Sequence, residues 1–506
     1  MQPAELAYRD SINRLLSLVD HERGHQSFAG SPGVETVGRA EQVNQLKGPR
    51  QKTIFNLERI EALLGQLGNP QRSAPVIHVA GTKGKGSTAA LCESTLHAAG
   101  YRTGFYSSPH LHSFRERIRV NTQPISQGQF AALVEIVWQK HLEVTANAGL
   151  GPVTLFEFMT GMAFQFFAGA PIDSRPHDSL DPDSRPAYLQ APVDFQVIEV
   201  GLGGRLDATN VVDPAVCVIT NVSMDHTAIL GDSLDQIAFE KAGIIKPGST
   251  VIIAPQEPEA ATAIARICQE RGARSVRVGQ DVTWDLHAAN DRGQEFTVHG
   301  RLGKYCLRTP LLGTHQLVNA ATAVATLEVL REQGHEIPAD AFAQGFAGVS
   351  WPCRMEVLAR SPLVMTDGAH NLKSMETLLD SLPRYMDYKR LVLIAGFSRD
   401  KSVEDMVGCL AMAQPVVFAT ASRHPRSLAS KSVAEQFATL GITAASTATP
   451  AEALAMALDA AGTEDLVLAT GSLFVAAEVR ESVLGIEPEV YPDLLPSSRP
   501  ATGETP

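Results

Sequence analysis

Glycines, lysines and hydroxyls crowd into GTKGKGST, Gly81 to Thr88, and these are the residue types that hold a polyphosphate. The stretch follows an apolar run and opens a helical pattern, so it falls at a strand-to-helix turn, where unpaired N–H groups and the helix dipole both favour an anion. Gly81, Gly84 and Gly86 let the backbone approach phosphate oxygens. Lys85 is placed to reach the terminal phosphates, and a hydroxyl from Ser87 or Thr88 to meet Mg²⁺. The spacing GxxxxGK[ST] is not met, because Val79 stands at the first glycine position and Gly86 separates Lys85 from Ser87. The competing reading is a glycine-rich turn that binds nothing.

Four more stretches carry chemistry. VIEVGLGGRLDATN, Val197 to Asn210, puts Glu199 at the end of a buried run and then breaks into glycines, an arginine and an aspartate. Open α/β sheets bind ligands at such strand ends, and a carboxylate there suits Mg²⁺, which takes hard oxygen ligands and bridges them to phosphates. A glutamate satisfied by a backbone N–H or an arginine is the alternative. In the second stretch, Thr220 to Gly248, Asp225 and His226 end a strand and Lys241 follows within EKAGIIKPG. His226 is open between a ligand and a structural histidine. The third, SPHLHSFRERIRV, Ser108 to Val120, holds arginines that either clamp carboxylates or decorate a helix. The fourth is dispersed: Asn319, Arg354, DGAHN from Asp367, Asp400 with Lys401, and ATGSLF from Ala469.

Elements to position these groups follow from the hydrophobic pattern. Ala74 to Ala80 reads as a buried strand, Ser87 to Ala99 as a helix closed by Gly100, and Thr53 to Leu67 as an earlier helix. Phe156 to Phe167 reads as an apolar helix, Phe195 to Val200 and Val216 to Asn221 as strands, and Asn319 to Gln333 as a helix. That alternation predicts a parallel α/β sheet. After FAGVSWPC, Phe346 to Cys353, a second series begins, with strands at Leu363 to Thr366, Leu391 to Ala395, Val416 to Ala419 and Leu466 to Ala469. Polar groups at strand ends of both series predict one site shared by two domains. His21 to Pro49 lacks periodicity and reads as a mobile loop. The segment after Pro171, with DSRP at Asp173 to Pro176 and again at Asp183 to Pro186, reads as a solvated insertion.

At 506 residues two or three domains are expected. Charged residues at 19% and the absence of any apolar run near the roughly 20 residues of a bilayer span argue against a membrane helix. MQPAELAYRDSINRL has neither a basic start nor an apolar core, so no secretion signal is read and a cytoplasmic address is expected. The six cysteines form no CxxC pair, which argues against a disulfide framework and a thiolate zinc site. A net charge of −12 disfavours broad nucleic-acid binding but leaves room for a local cationic pocket.

GTKGKGST, YSSPHL, RERIRV, TLFEFMT, EVGLGGRLDATN, DHTAILG, EKAGIIKPG, DGAHN and ATGSLF together resemble the folylpolyglutamate synthase and dihydrofolate synthase branch of the Mur ligases, from about Thr53 to Val479. The resemblance implies a P-loop Mur-ligase-like central α/β domain with a parallel sheet and a smaller C-terminal Rossmann-like α/β domain. It implies an ATP-dependent ligase that phosphorylates a carboxylate of a folate or dihydropteroate and lets the amine of L-glutamate expel the phosphate. By the same resemblance Gly84, Lys85, Gly86 and Ser87, with Asn319, Arg354 and Asp367, contact ATP. Ser108, Glu199 and His226 ligate Mg²⁺, and Lys241 is carbamylated. Lys85, Lys241 and His226 serve the chemistry. Thr154, Leu155, Phe156 and Glu157, with Leu206, Asp207 and Ala208, meet the pterin substrate.

Three departures stand out: Cys353 occupies a usual glycine, the insertion after Ala170 is long, and His21 to Pro49 lengthens the N-terminal region. The expected division is an extension over 1–52, a central domain over 53–349 with a disordered insertion at 170–193, a glutamate-ligase domain over 350–490 and a disordered tail over 491–506. A monomer is expected. Rival expectations are a Mur-type ligase with another amino acid and acceptor, or a nucleotide-binding switch without turnover.

Overall fold

A computed structural model describes residues 3–18, 56–147, 149–169 and 191–489. The expected loop at His21 to Pro49, residues 170–190 of the expected insertion, and the tail at 491–506 lie outside the described residues.

Short apolar runs bounded by turn residues form the first sheet. In chain order its strands are β1 (Val76–Ala80), β2 (Thr103–Tyr106), β3 (Ile118–Val120), β4 (Gln123–Pro124), β5 (Phe195–Glu199), β6 (Val216–Ile219), β7 (Thr250–Ile253) and β8 (Arg274–Arg277). They lie in the order β4-β3-β2-β5-β1-β6-β7-β8. The six from β2 to β8 in that order run parallel, and β3 and β4 complete an antiparallel edge. β1 is buried along its whole length, as a parallel strand covered on both faces must be. Ile77 and Val79 meet the helices Lys85–Ala98 and Thr314–Glu332 in one core. On the other face Val76 joins the core of Leu155–Phe167 and Gln127–Thr145. Consecutive strands depart to both sides of β1, so the crevice at its carboxyl end is a topological switch point.

An antiparallel ribbon follows: β9 (Thr283–Asn290), β10 (Gly293–His299) and β11 (Lys304–Thr309). The second sheet comprises β12 (Glu356–Arg360), β13 (Leu363–Thr366), β14 (Leu391–Ala395), β15 (Val416–Ala419), β16 (Ala444–Ser446) and β17 (Leu466–Thr470), in the order β12-β13-β17-β14-β15-β16. Only β12 is antiparallel.

Several elements depart from the sequence expectation. The phosphate-loop helix begins at Lys85, two residues before the expected Ser87, because Gly84 takes φ +90° and turns the chain directly into the helix. Lys85 and Gly86 therefore belong to the first helical turn. Asn319 sits inside a helix that begins at Thr314 rather than at its start. The arginine-rich Ser108 to Val120 forms a 3₁₀ turn, Phe114–Arg117, followed by β3, so its arginines decorate no α-helix. Within the stretch read as an extension, Pro3–Leu16 is a helix that buries Tyr8, Ile12 and Leu15 in the core shared with Gln127–Thr145.

Candidate active site

The carboxyl ends of both parallel sheets open on one cavity of about 1920 Å³. Gly81 to Ser87, Ser108, Glu199, Gly201 to Ala208, Asp225, His226, Lys241, Asn319, Arg354 and Asp367 all line it. The phosphate loop is held by close approach. A Cβ on Gly84 would fall 2.3 Å from Asn319 Oδ1, and one on Gly86 would fall 2.3 Å from the Trp351 ring. Glycine at these positions lets the loop touch both the helix Thr314–Glu332 and the segment that leads into the second sheet.

Two lysines share one acceptor beneath the loop. Lys85 Nζ donates to the Gly81 carbonyl oxygen at 3.2 Å and Lys241 Nζ to the same oxygen at 3.0 Å. Lys241 is 5% exposed, and burial, then the charge of Lys85, lowers its amine to about 7. An amine in that range is largely neutral at mild alkalinity, the form that reacts with CO₂. Sequence spacing alone showed neither the shared carbonyl nor this displacement.

Glu199 ends β5, is 6% exposed, and is pushed up to about 7 by burial against the opposing charges of Lys85 and Arg354. The backbone N–H of Ser108 donates to its carboxylate, so two of the three expected Mg²⁺ ligands adjoin. The third, His226, caps the short helix Thr227–Leu230 at φ +51° with its side chain 49% exposed, and burial lowers its pKa. Among the described residues no group of three His, Cys, Asp or Glu side chains converges as a metal cage. Mg²⁺ does not need one, since it is commonly held by one or two carboxylates plus phosphates and water. A buried carboxylate that lines the cavity, as Ser108 also does, fits that chemistry; the imidazole of His226 is the less typical donor.

Residues from the second sheet complete the wall. Asp367 follows β13 and accepts the N–H groups of Met355 at 2.9 Å and Ala369 at 2.8 Å. Cys353 and Met355 both take left-handed backbone, at φ +57° and +47°. The conformation that glycine would supply at 353 is thus adopted by a cysteine, at a cost of roughly 1–2 kcal/mol. Arg354 lies between them, donating from its guanidinium to the Cys353 carbonyl at 2.9 Å.

On the opposite wall Thr154 caps the helix Leu155–Phe167, with Glu157 returning to the Thr154 N–H. Glu157 is also paired with Arg59 at 3.0 Å. Thr154, Phe156 and Glu157 line the cavity. Leu155 does not: it is buried in the hydrophobic core, because one helical step of 100° turns it away from its neighbours. Leu206, Asp207 and Ala208 line the cavity, while the Asp207 oxygens accept the N–H of Leu202 at 2.8 Å and of Thr209 at 3.0 Å.

A junction between the two sheets was not assembled by sequence reasoning. Asp225 lies 3.5 Å from Lys83 Nζ of the phosphate loop, 3.1 Å from Lys401 Nζ and 3.4 Å from Asn371 Nδ2 of the second sheet. The lysines hold its carboxyl far below the usual range against the cost of burial. Lys83 also meets His370 Nε2 at 3.1 Å. His370 Nδ1 donates to the Gly368 carbonyl at 2.8 Å, so Nε2 accepts, and the charge of Lys83 holds the imidazole neutral. Each of these residues lies in a stretch that drew notice, but nothing in spacing joined them. Arg119 pairs with buried Glu93 and stacks over Phe105 and Trp351, 4.0 and 5.3 Å from their ring centres.

Residues 180–327 match the Mur ligase middle domain family and residues 353–473 the Mur ligase, glutamate ligase domain family. The chain is similar to the dihydrofolate synthase/folylpolyglutamate synthase of Bacillus subtilis, 32% identical over 427 residues covering 84% of this chain and 94% of that one. It is 34% identical to the enzyme of the same description from Escherichia coli over 446 residues, 87% of this chain and 94% of the other. Among solved structures, Mycobacterium tuberculosis folylpolyglutamate synthase complexed with ADP and AMPPCP superposes with a TM-score of 0.76 at 31% identity, covering 86% of this chain and 96% of that chain. Escherichia coli FolC in complex with DHPP and ADP gives 0.72 at 31% identity, over 86% and 95%.

Proposed function

We infer the working of the site from one premise: the chain belongs to the folylpolyglutamate synthase and dihydrofolate synthase family of Mur ligases, and is an ATP-dependent carboxylate–amine ligase that adds L-glutamate to a folate. The observation that carries the detailed reading is the convergence of the phosphate loop, Glu199 and the second-sheet residues Arg354 and Asp367 on one cavity. Gly84, Lys85, Gly86 and Ser87 hold the nucleotide phosphates, with Asn319, Arg354 and Asp367 completing the ATP site. The N–H groups of the first helical turn face the phosphates, where the dipole and the Lys85 ammonium act together.

The acceptor's carboxylate takes the terminal phosphoryl group, and the amine of L-glutamate then attacks the acyl phosphate and displaces phosphate. Several anions gather in this step, so electrostatic preorganisation supplies most of the rate. Glu199 and Ser108, with His226, would hold Mg²⁺, which when bound neutralises phosphate charge. Lys241 carries a carbamate: its neutral amine adds to CO₂, an N–C bond forms and a proton leaves. The anion so formed removes the repulsion between two ammoniums on the Gly81 carbonyl.

Thr154, Phe156 and Glu157 on one side and Leu206, Asp207 and Ala208 on the other receive the pterin, and both tetrahydrofolate and dihydropteroate are acceptors. The central domain ends near 349 and the glutamate-ligase domain begins near 350, with ATP between them and closure completing the site. Asp225, bridging Lys83 and Lys401, supports that closure. The chain works as a monomer in the cytoplasm. Both walls of the cavity come from one chain, and no helix among the described residues is long and apolar enough to cross a membrane.

Glutamate-dependent ADP release, measured with dihydropteroate and tetrahydrofolate in turn, tests this reading. Turnover with both acceptors is expected. Turnover with muramyl acceptors or other amino acids in place of glutamate, or nucleotide binding without acceptor-dependent turnover, would overturn it.

A further inference from the structure

The centre of the first sheet holds a histidine that an aliphatic side chain would replace at less cost. His78 of β1 is 0% exposed and lies on the strand face of Val76 and Ala80, both core residues. Its Nε2 is 2.9 Å from Thr209 Oγ1, and its Nδ1 has no hydrogen-bond partner among the described residues. Thr209 has one hydroxyl proton, and it goes to Asp207 Oδ1 at 2.5 Å, an oxygen that already accepts the Thr209 N–H while Oδ2 accepts that of Leu202. His78 must therefore donate from Nε2. That assigns the tautomer and leaves Nδ1 bare in the core, an arrangement that costs stability. Burial, with the charge of Lys246, lowers the imidazole to about 3, so it stays neutral.

A sequence that keeps such a residue gains something elsewhere. The relay ends on Asp207, whose carboxylate ties Leu202 to Thr209 and so shapes the segment Leu206 to Ala208 that walls the cavity. The ends of this loop are fastened separately: the Arg205 N–H donates to the Glu240 carbonyl, and Lys246 Nζ to the Asn210 carbonyl. Among the described residues the His78 relay is the one hydrogen-bonded link from its middle to the central strand, the strand that leads into the phosphate loop.

We propose that His78 is a positioning residue for the acceptor, fixing the Leu206–Ala208 wall through Thr209 and Asp207. This rests on the reading that the wall contacts the pterin. Steady-state kinetics and thermal melting of His78→Leu, His78→Gln, Thr209→Val and Leu206→Ala test it. His78→Leu and Thr209→Val are expected to raise the acceptor KM about tenfold, the size of one lost orienting contact, with kcat and the KM for ATP little changed. His78→Gln, which keeps an N–H donor, restores the acceptor KM. Should Leu206→Ala alone raise the acceptor KM, the positioning role falls while the pterin wall stands. Should no variant raise it, the pterin wall falls and the proposal with it. A rise in both KM values together with a fall in Tm would reduce His78 to a core residue and also overturn the proposal. If His78→Leu does not fold, the near-isosteric Thr209→Val decides.

Discussion

Replacing Lys241 by methionine is expected to stabilise the protein while ending ligation. The amine is buried, shares the Gly81 carbonyl with Lys85, and is lowered from 10.5 to about 7, first by burial and then by that neighbouring charge. Below pH 7 the lysine is charged in both folded and unfolded chains, and the fold carries the whole cost of burying the charge. Between pH 7 and 10.5 the folded amine is neutral while the unfolded one is still charged, so the unfolded state binds more protons and stability rises with pH. Above 10.5 the cost is gone. At about 1.4 kcal/mol per pH unit the full cost is about 5 kcal/mol. Methionine has similar length and no charge, but forfeits the hydrogen bond to Gly81, about 1 kcal/mol. The variant should gain about 4 kcal/mol below pH 7, and at about 2 °C per kcal/mol melt roughly 8 °C higher. The measurement is thermal melting from pH 6.5 to 9.5 without nucleotide, metal or CO₂, beside an ADP-release assay. A melting difference that does not narrow as pH rises, or a variant that melts below the parent at pH 6.5, would refute the reasoning.

Lys85→Ala and Glu199→Ala should each abolish glutamate-dependent ADP release with circular dichroism unchanged; amide formation retained in either variant would remove that residue from the site. Gly84→Ala should weaken ATP binding by tenfold or more, because the new Cβ would sit 2.3 Å from Asn319 Oδ1 on backbone at φ +90°, and about 1.4 kcal/mol of lost contact suffices for that factor. Calorimetric titration giving the parent affinity would show that the loop yields at no cost. Lys241→Ala should be inactive and partly rescued by short carboxylates that replace the carbamate oxygens; full activity without them would dismiss the modification.

Much of the scaffold is legible in local pattern. β13, β14 and β15 coincide with the apolar runs read from sequence, because each is short, covered on both faces and closed by turn-forming residues. Tyr8, Ile12 and Leu15 carried a helical signal that the reading of an N-terminal extension passed over. The turn at Gly81 to Ser87 was readable for the same local reason: glycine, lysine and a helix start are neighbours in the chain, and exposed N–H groups follow from the turn alone. Glu199 was readable as a buried acid at a strand end.

Energetics at the site are not local. Lys241 belongs to EKAGIIKPG, which by itself looks like the end of an exposed helix; its amine is lowered because packing of that helix buries it and carries it to the carbonyl that Lys85 already holds four residues along the chain. Asp225 becomes a junction only when Lys83, Asn371 and Lys401 arrive from two sheets. His78 reads as one polar interruption in a strand until Thr209 is folded against it. Sequence determined which segments turn from strand to helix and carry glycine, lysine or carboxylate there, since backbone geometry and residue type act over a few bonds. Tertiary structure alone decided which of their charges are buried, paired or neutral, since desolvation and Coulomb energy depend on distances that the order of residues does not contain.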